Sequence, residues 1–374
     1  MHATDMLPRE TAVQLVDAHG AVVEDDRYEL PSTDALLAAY RGLVEARRIN
    51  DQASALVRQG RLAVYPSSHG QEACQVGAAL ALAPDDWLFP TYRDSVAVIA
   101  RGVAPAEAMV LLHGDWHSGY DVRRHRVAPQ ATPLATQLLH AVGFAYAAKQ
   151  RGEDTVVMAL CGDGATSEGD FHEALNFAAV FRVPVVFFVQ NNGFAISVPL
   201  SRQTAAPSIA HKAIGYGMPG QRVDGNDAAA VLAVLGEAVA RARSGGGPSL
   251  VEAHTYRMQA HTNADDDTRY RERSEVQAWV ARDPLARLRV HLRASGDLTD
   301  ALEDEYAAGA EEIASEMRIA LSVDAEVDPE DLFRFVTENR SPLREEQRAM
   351  LRGEIERARQ DDAATAHDVL GGAR

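Results

Sequence analysis

Asp163 sits between two glycines, Gly162 and Gly164, and Asn192, the second of an asparagine pair, follows it by 29 positions (192 − 163 = 29). A carboxylate and an amide oxygen brought to one point supply hard-oxygen ligands and leave most of a cation's coordination sphere open. Mg2+ needs this when it is held between a protein and a diphosphate, because it prefers octahedral oxygen and keeps non-protein ligands. A backbone carbonyl just past Asn192 is available as a third ligand. A second cue is Arg93, preceded by Tyr92. A guanidinium fork pairs naturally with diphosphate oxygens, and an adjacent hydroxyl adds a donor. The alternative is a local ion pair with Asp94.

The surrounding elements must bring these residues together. Residues 156–161 and 185–190 are short runs of β-branched, aromatic and apolar residues, as expected of buried parallel strands. Between them, Ser167 and Asp170 have capping-box spacing. Phe171, Ala174, Leu175, Ala178 and Phe181 then recur near every 3.6 residues, giving a helix with one apolar face that Pro184 ends. Such a strand–turn–helix–strand unit places Asp163 and Asn192 beyond the carboxyl ends of two strands, where open α/β sheets bind ligands. Further apolar periodicity predicts a helix from Asp34 to Arg58, with Ser32, Thr33 or Asp34 as its cap. It also predicts an alanine-rich helix at 73–82, another from Thr132 to Lys149, and a helix capped by Asp227 that runs to Arg243. Residues 221–224 and 249–253 read as strands. The stretch 199–220 reads as a mobile surface connection, and 112–132 as a basic loop.

Other candidate sites are weaker. His113 and His117 have the i,i+4 spacing of a zinc pair, but Gly114 and Gly119 weaken the helix and no third ligand lies nearby. Asp265, Asp266 and Asp267 are contiguous, unlike a calcium loop, and are expected to pair with Arg269, Arg271 and Arg273. For His69 and Cys74 helix packing is the plainer role.

Composition sets outer bounds. The 374 residues include 54 acidic and 37 basic side chains, a formal charge of −17, which argues against a nucleic-acid or anionic-membrane surface. Two cysteines, each in an apolar segment, build neither a disulfide framework nor a zinc cluster. The first residues lack a secretory pattern and no apolar run approaches a membrane span, so a cytoplasmic location is expected. Residues 1–33 read as an extended arm of the kind that packs on a partner. Residues 34–275 read as an α/β domain with a mostly parallel sheet and helices on both faces, and 276–374 as a helical region whose tail, from about Asp361, frays.

The Gly-Asp-Gly to Asn-Asn spacing resembles the thiamine diphosphate motif. Together with Gly70-Gln-Glu-Ala73, Pro90-Thr-Tyr-Arg-Asp94, Pro133-Leu-Ala-Thr-Gln137, Asn191-Asn-Gly-Phe-Ala-Ile-Ser197, Val223-Asp-Gly-Asn226 and the stretch from Tyr256 to Asp267, it is similar to one family across roughly residues 40–273. That family is the alpha subunit of the decarboxylating first component of 2-oxo acid dehydrogenase complexes, acting on pyruvate or branched-chain 2-oxo acids. The resemblance implies a thiamine diphosphate-binding fold, with Mg2+ on Asp163, Asn192 and the carbonyl of Phe194. It puts the cofactor against Tyr92, Arg93, Leu134, Gly162, Gly164, Ala165, Ile196 and His261. It implies that His261 is catalytic, assisting acyl transfer to lipoyl as a group titrating near neutrality, and that Thr132, Thr136 and Gln137 hold K+, as similar residues do in branched-chain members. It further implies a beta subunit completing an alpha2beta2 heterotetramer, since the carboxylate that activates the cofactor comes from that chain, and a lipoyl-bearing acyltransferase component. Gln259 and Thr262 stand where many members have a histidine or a regulatory serine, so kinase control of this loop is not expected. Rival readings are an acetoin dehydrogenase alpha subunit, a nicotinamide-dependent oxidoreductase, which would need a third glycine absent here, and a non-catalytic assembly subunit, which gives no reason for Asp163, the asparagines and Arg93 together.

Overall fold

In the computed structural model, which describes residues 6–114, 118–323, 328–334 and 336–371 (the backbone alone for 362–371), five parallel strands form one sheet. They are β1 (Trp87–Phe89), β2 (Val157–Gly162), β3 (Val185–Asn191), β6 (Gly220–Asp224) and β7 (Ser249–His254), in the order β1-β2-β3-β7-β6. Two short strands, β4 (Phe194–Ala195) and β5 (Val198–Pro199), make a separate hairpin just after β3.

Strand alternation divides the core. On β2, Met158 and Leu160 face one side while Val157, Ala159 and Cys161 face the other. On β3, Val186 and Phe188 oppose Val185, Phe187 and Val189. The first face is covered by α1 (Thr33–Arg58), α2 (Glu72–Leu80), α3 (Ser95–Ala100) and α8 (Ala228–Arg243). The second is covered by α6 (Thr136–Arg151) and α7 (Gly169–Phe181). Between α3 and α6 lie α4 (Pro105–His113) and α5 (Val122–His125), so the stretch expected as a loop is partly helical. The sheet is therefore parallel with helices on both faces, as the sequence predicts.

Caps account for several boundaries. Ser32 accepts from the Ala35 amide at the start of α1, and Asp227 accepts from the Ala229 and Ala230 amides at the start of α8. The capping box expected at Ser167 does not form. Residues Asp163–Ser167 wind into a 3₁₀ turn, and α7 starts one position beyond Glu168 with no side-chain cap. Phe171, Ala174, Leu175 and Ala178 are buried as predicted, but Phe181 is exposed and stacks on Phe177. The helix expected from Thr132 begins at Thr136, after Ala135 in a left-handed conformation. Residues Ile209–Tyr216 form a 3₁₀ segment with Ile209, Ala210 and Ala213 buried, so the connection to β6 is packed core on one side rather than a surface loop.

The N-terminal arm packs on its own chain. Val13 pairs with Val223 at the β6 edge, and the amides of Leu15 and Val16 donate to the buried Asp227 carboxylate at 2.7 and 2.8 Å. That edge offered unpaired backbone groups which the arm satisfies. The structure divides into compact units at residues 1–323 and 324–374, so helices α9 (Arg273–Val280), α10 (Pro284–Ser295) and α11 (Asp300–Ala320) belong to the first. In the second unit a short helix, Asp331–Arg334, precedes a long one, Pro342–Gly371. The tail read as fraying is helical backbone through Gly371, and residues 372–374 lie outside the described ones. No described helix is long and apolar enough to cross a membrane.

Candidate active site

A cavity of about 790 Å3 opens at the carboxyl ends of β2 and β3. Gly162 and Gln190 are neighbours in the sheet register, so the residues that follow them, Asp163 and the asparagine pair, emerge side by side. Asp163 is buried, and its Oδ2 accepts from Gln203 Nε2 at 2.7 Å. Burial pushes its carboxyl pKa up, while Gln203 and the backbone N–H groups of Asp163 and Asn192 favour the charged form. Asn192 Oδ1 accepts from the Phe194 amide at 3.2 Å, and its Nδ2 donates to Gln71 Oε1 at 3.0 Å. Asp163, Asn192 and Phe194 all line the cavity. The two glycines differ. A Cβ on Gly164 would come within 2.8 Å of Ala195 Cβ, so the turn and the hairpin need that glycine. A Cβ on Gly162 would meet nothing in the chain and would occupy open space.

A second wall is cationic. Arg93 and Arg257 are both buried, and no carboxylate forms an ion pair with either among the described residues. Arg93 Nη1 donates to Ser67 O at 2.9 Å, and its Nη2 reaches His261 O at 3.1 Å and His261 Nδ1 at 3.0 Å. Arg257 Nη1 approaches the same ring nitrogen at 3.4 Å, and its Nη2 donates to Ile196 O and to the Tyr270 hydroxyl, both at 3.0 Å. A guanidinium only donates, so Nδ1 of His261 is the lone-pair nitrogen and Nε2 carries the proton. Burial first, then the charges of Arg93 and Arg257, push the His261 pKa down to about 4. His261 is thus neutral at neutral pH and does not titrate there, contrary to expectation. Asp163 and Asp265 lie within the field of Arg257, and Asp94 within that of Arg93, but none pairs directly with either guanidinium, so both keep donors that suit an anion in the cavity.

Apolar groups flank these walls. Leu134 and Ile196 line the cavity with 43% and 54% of their surfaces exposed, and Ile196 has φ = 55°. A β-branched residue in the left-handed region is strained by about 1–3 kcal/mol, and such strain gathers at binding sites. The hydrogen bond from Arg257 to the Ile196 carbonyl helps to hold it there.

Residues 41–324 match the model of the "Dehydrogenase E1 component" family. The chain is 50% identical to 3-methyl-2-oxobutanoate dehydrogenase subunit alpha of Mycobacterium tuberculosis over 92% of its length and 94% of that protein's. It is 40% identical to pyruvate dehydrogenase E1 component subunit alpha of Staphylococcus aureus over 78% of its length and 80% of that protein's.

The chain belongs to the dehydrogenase E1 component family.

Against this E1 framework the residues singled out from the sequence can be located. Tyr92, Arg93, Thr132, Leu134, Gln137, Gly162, Asp163, Gly164, Ala165, Asn192, Phe194, Ile196 and His261 line one cavity. Thr136 stands apart from that lining, with its Oγ1 3.2 Å from Asp170 Oδ2, and Gln137 donates its Nε2 to Leu160 O at 2.8 Å. The local Arg93–Asp94 ion pair does not form, because the buried Asp94 carboxylate is occupied by Thr91, Gln75 and Gln190. Among the described residues no three His, Cys, Asp or Glu side chains form a metal-holding group; His113 ends α4, and His117 lies outside those residues. In the loop after Tyr256, Asp267 pairs with Arg271 as expected, whereas Asp265 accepts from the His261 amide and the Tyr270 hydroxyl, and Asp266 caps Thr268. His69 contacts Gln259, and Cys74 is buried core, with burial pushing its thiol pKa up.

Sequence reasoning missed Gln71, Gln190, Gln203 and Arg257. Gln203 lay in the stretch read as a surface connection, and nothing local announced it. Gln71 and Arg257 stood inside blocks already singled out, where a polar side chain beside a glycine turn or ahead of a histidine was the available signal.

Proposed function

We propose that this chain is the alpha subunit of a 2-oxo acid dehydrogenase that binds thiamine diphosphate and Mg2+ in the cavity and transfers the acyl group to a lipoyl-bearing acyltransferase component. The observation that carries the reading is the pairing, across one cavity, of an oxygen-ligand end at Asp163 and Asn192 with two buried guanidiniums that make no direct ion pair among the described residues. A diphosphate bridged to a divalent cation needs both.

Asp163, Asn192 and the Phe194 carbonyl would hold Mg2+. Arg93, with Tyr92 beside it, would bind the diphosphate, and Leu134 and Ile196 would pack against the organic part. When bound, thiamine diphosphate supplies the electron sink for the bond to the departing CO2. The chain's own residues bind, orient and keep water out. His261, neutral with its proton on Nε2, acts as a hydrogen-bond donor in this environment, and protonation at Nδ1 is opposed by both arginines. A K+ on Thr132, Thr136 and Gln137 is part of the same proposal, supported by the free Oε1 of Gln137 after its Nε2 is engaged.

The active form is an alpha2beta2 heterotetramer. Tyr146, Phe177, Val180 and Phe181 form an exposed apolar patch on α6 and α7, with Phe181 in ring contact with both Tyr146 and Phe177, and such patches suit a protein partner. For substrate, 3-methyl-2-oxobutanoate is favoured over pyruvate, because the Mycobacterium tuberculosis relative is the more similar and matches more of the chain. The test is 2-oxo acid-dependent reduction of an artificial electron acceptor by this chain with its beta partner, thiamine diphosphate and Mg2+. Turnover that needs the partner and prefers 3-methyl-2-oxobutanoate supports the proposal. Full turnover by the alpha chain alone, or none with either acid, refutes it.

A further inference from the structure

Behind the oxygen-ligand end, four buried side chains run in one line of hydrogen bonds. Asn192 Nδ2 donates to Gln71 Oε1 at 3.0 Å, Gln71 Nε2 donates to Gln190 Oε1 at 3.1 Å, and Gln190 Nε2 donates to Asp94 Oδ1 at 2.7 Å. All four residues are at least nine-tenths buried. A primary amide has a donor end and an acceptor end of nearly the same shape, so a line of amides alone can run in either direction. Donors hold the direction at both ends: the Phe194 amide N–H meets Asn192 Oδ1 at 3.2 Å, and the stronger, charged anchor is Asp94. Asp94 Oδ1 also accepts from Gln75 Nε2 at 3.1 Å, and Oδ2 accepts from the Thr91 amide at 2.7 Å and the Thr91 hydroxyl at 2.6 Å. Four donors converge on this carboxylate and favour its ionised, acceptor-only form against the burial that pushes its pKa up. Gln190 must then present its nitrogen to Asp94, Gln71 its nitrogen to Gln190, and Asn192 its nitrogen to Gln71. Asn192 Oδ1 is left facing the Phe194 amide and the cavity.

We propose that Asp94 is a positioning residue that fixes, through Gln190 and Gln71, which atom of Asn192 faces the cavity. The reversed line would put the Nδ2 donor where a cation needs an oxygen. This rests on the Mg2+ reading given above. Replacing Asp94 by asparagine removes the charged anchor and leaves only the Phe194 amide bond, at 3.2 Å, to oppose reversal. The introduced amide can turn its oxygen to Thr91 and its nitrogen to Gln190. Gln75 can turn with it, because its Oε1 has no partner at present, at the loss of its bond to Arg93 O. The same reversal suits Asn192→Asp, whose carboxylate otherwise meets the acceptor end of Gln71.

The test is Mn2+ binding to the assembled alpha–beta protein with thiamine diphosphate, read from the free-ion electron paramagnetic resonance signal without turnover. Asp94→Asn is expected to weaken Mn2+ about 10- to 100-fold, the range for loss of a residue that orients a ligand. Asn192→Asp also weakens it, and the double variant binds more tightly than Asn192→Asp alone, whereas a merely structural role would make it weaker. Should Asp94→Asn not fold, Gln71→Met cuts the line while leaving Asp94 and its other donors in place, and it weakens Mn2+ in the same direction. Mn2+ affinity within about threefold of wild type in Asp94→Asn, or in Gln71→Met where that variant stands in, overturns the inference, as does a double variant weaker than Asn192→Asp. Wild-type protein that binds no Mn2+ with thiamine diphosphate overturns the Mg2+ reading, and this inference falls with it.

Discussion

Replacing Arg93 by methionine tests the cationic wall most directly. A guanidinium has five N–H groups, and Arg93 commits three of them: one to Ser67 O, one to His261 O and one to His261 Nδ1. The remaining two (5 − 3 = 2) are available to the cavity that Arg93 lines. Hydrogen bonds to a charged partner contribute about 1.5–3 kcal/mol each. Two of them amount to about 3–6 kcal/mol, or roughly two to four decades in Kd. Methionine keeps most of the side-chain length and removes both donors and charge. Thiamine diphosphate affinity in the presence of Mg2+, measured by calorimetry on wild-type and Arg93→Met protein assembled with the beta partner, should fall by that factor. Arg93→Lys should lie between, because an ammonium keeps the charge but not the fork. The variant also unlocks two partners, since the carbonyls of Ser67 and His261 lose a donor, so a melting curve must accompany the titration. A folded Arg93→Met protein with wild-type affinity would refute the assignment of this wall to the diphosphate.

Three other outcomes follow from the same contacts. The His261 ring should titrate near pH 4 in histidine-resolved NMR, and Arg93→Met should move its midpoint upward, because one of the two repelling charges is gone. The sign for stability follows: the unfolded chain takes up this proton first, so His261 lowers stability as pH falls from 6.5 toward 4 and has no effect above 6.5. Asp227→Ala removes the cap of α8, the single oxygen, Oδ2, that accepts from both the Leu15 and Val16 amides, and a buried carboxylate 3.4 Å from Arg287, so denaturant unfolding should show a loss of about 3–5 kcal/mol. Gly70→Ala should fail to fold or be strongly destabilised in thermal melts, because φ is +94° there and the added Cβ would come within 2.3 Å of Tyr256 O.

The central unit was legible because its determinants are local. Each strand is a run of apolar residues buried on both faces, and Asp163 and Asn192 follow those runs directly, so finding the strands already placed these two side chains next to each other. Asp227 and Ser32 were legible for the same reason, since a cap acts on amides two or three positions away. Ser167 failed by the same local logic. Its block is tied down by tertiary bonds, from Thr166 Oγ1 to Asp163 O and from Lys212 Nζ to Thr166 O, and the resulting 3₁₀ turn moved the helix start. The docking of the arm on its own chain was not legible, because the edge strand it meets is more than 200 residues away and no periodicity in residues 1–33 encodes that pairing.

The candidate site divides along the same line between local and distant determinants. Residue type announced Arg93, but not whether it would turn to its neighbour Asp94 or to the cavity. That was decided by Gln75 and Gln190, which arrive from α2 and β3 and fill Asp94 Oδ1, together with the local Thr91, which fills Oδ2. His261 was found by its place in a motif, yet its charge state was not, because the groups that set it are Arg93, 168 residues earlier, and Arg257, one helical turn before it in sequence but in a loop. An ionisable group's identity is written in the sequence and its pKa in the contacts. A neutral His261 held between two guanidiniums is therefore a property of the folded cavity, and it will shift whenever an anion enters and offsets those charges.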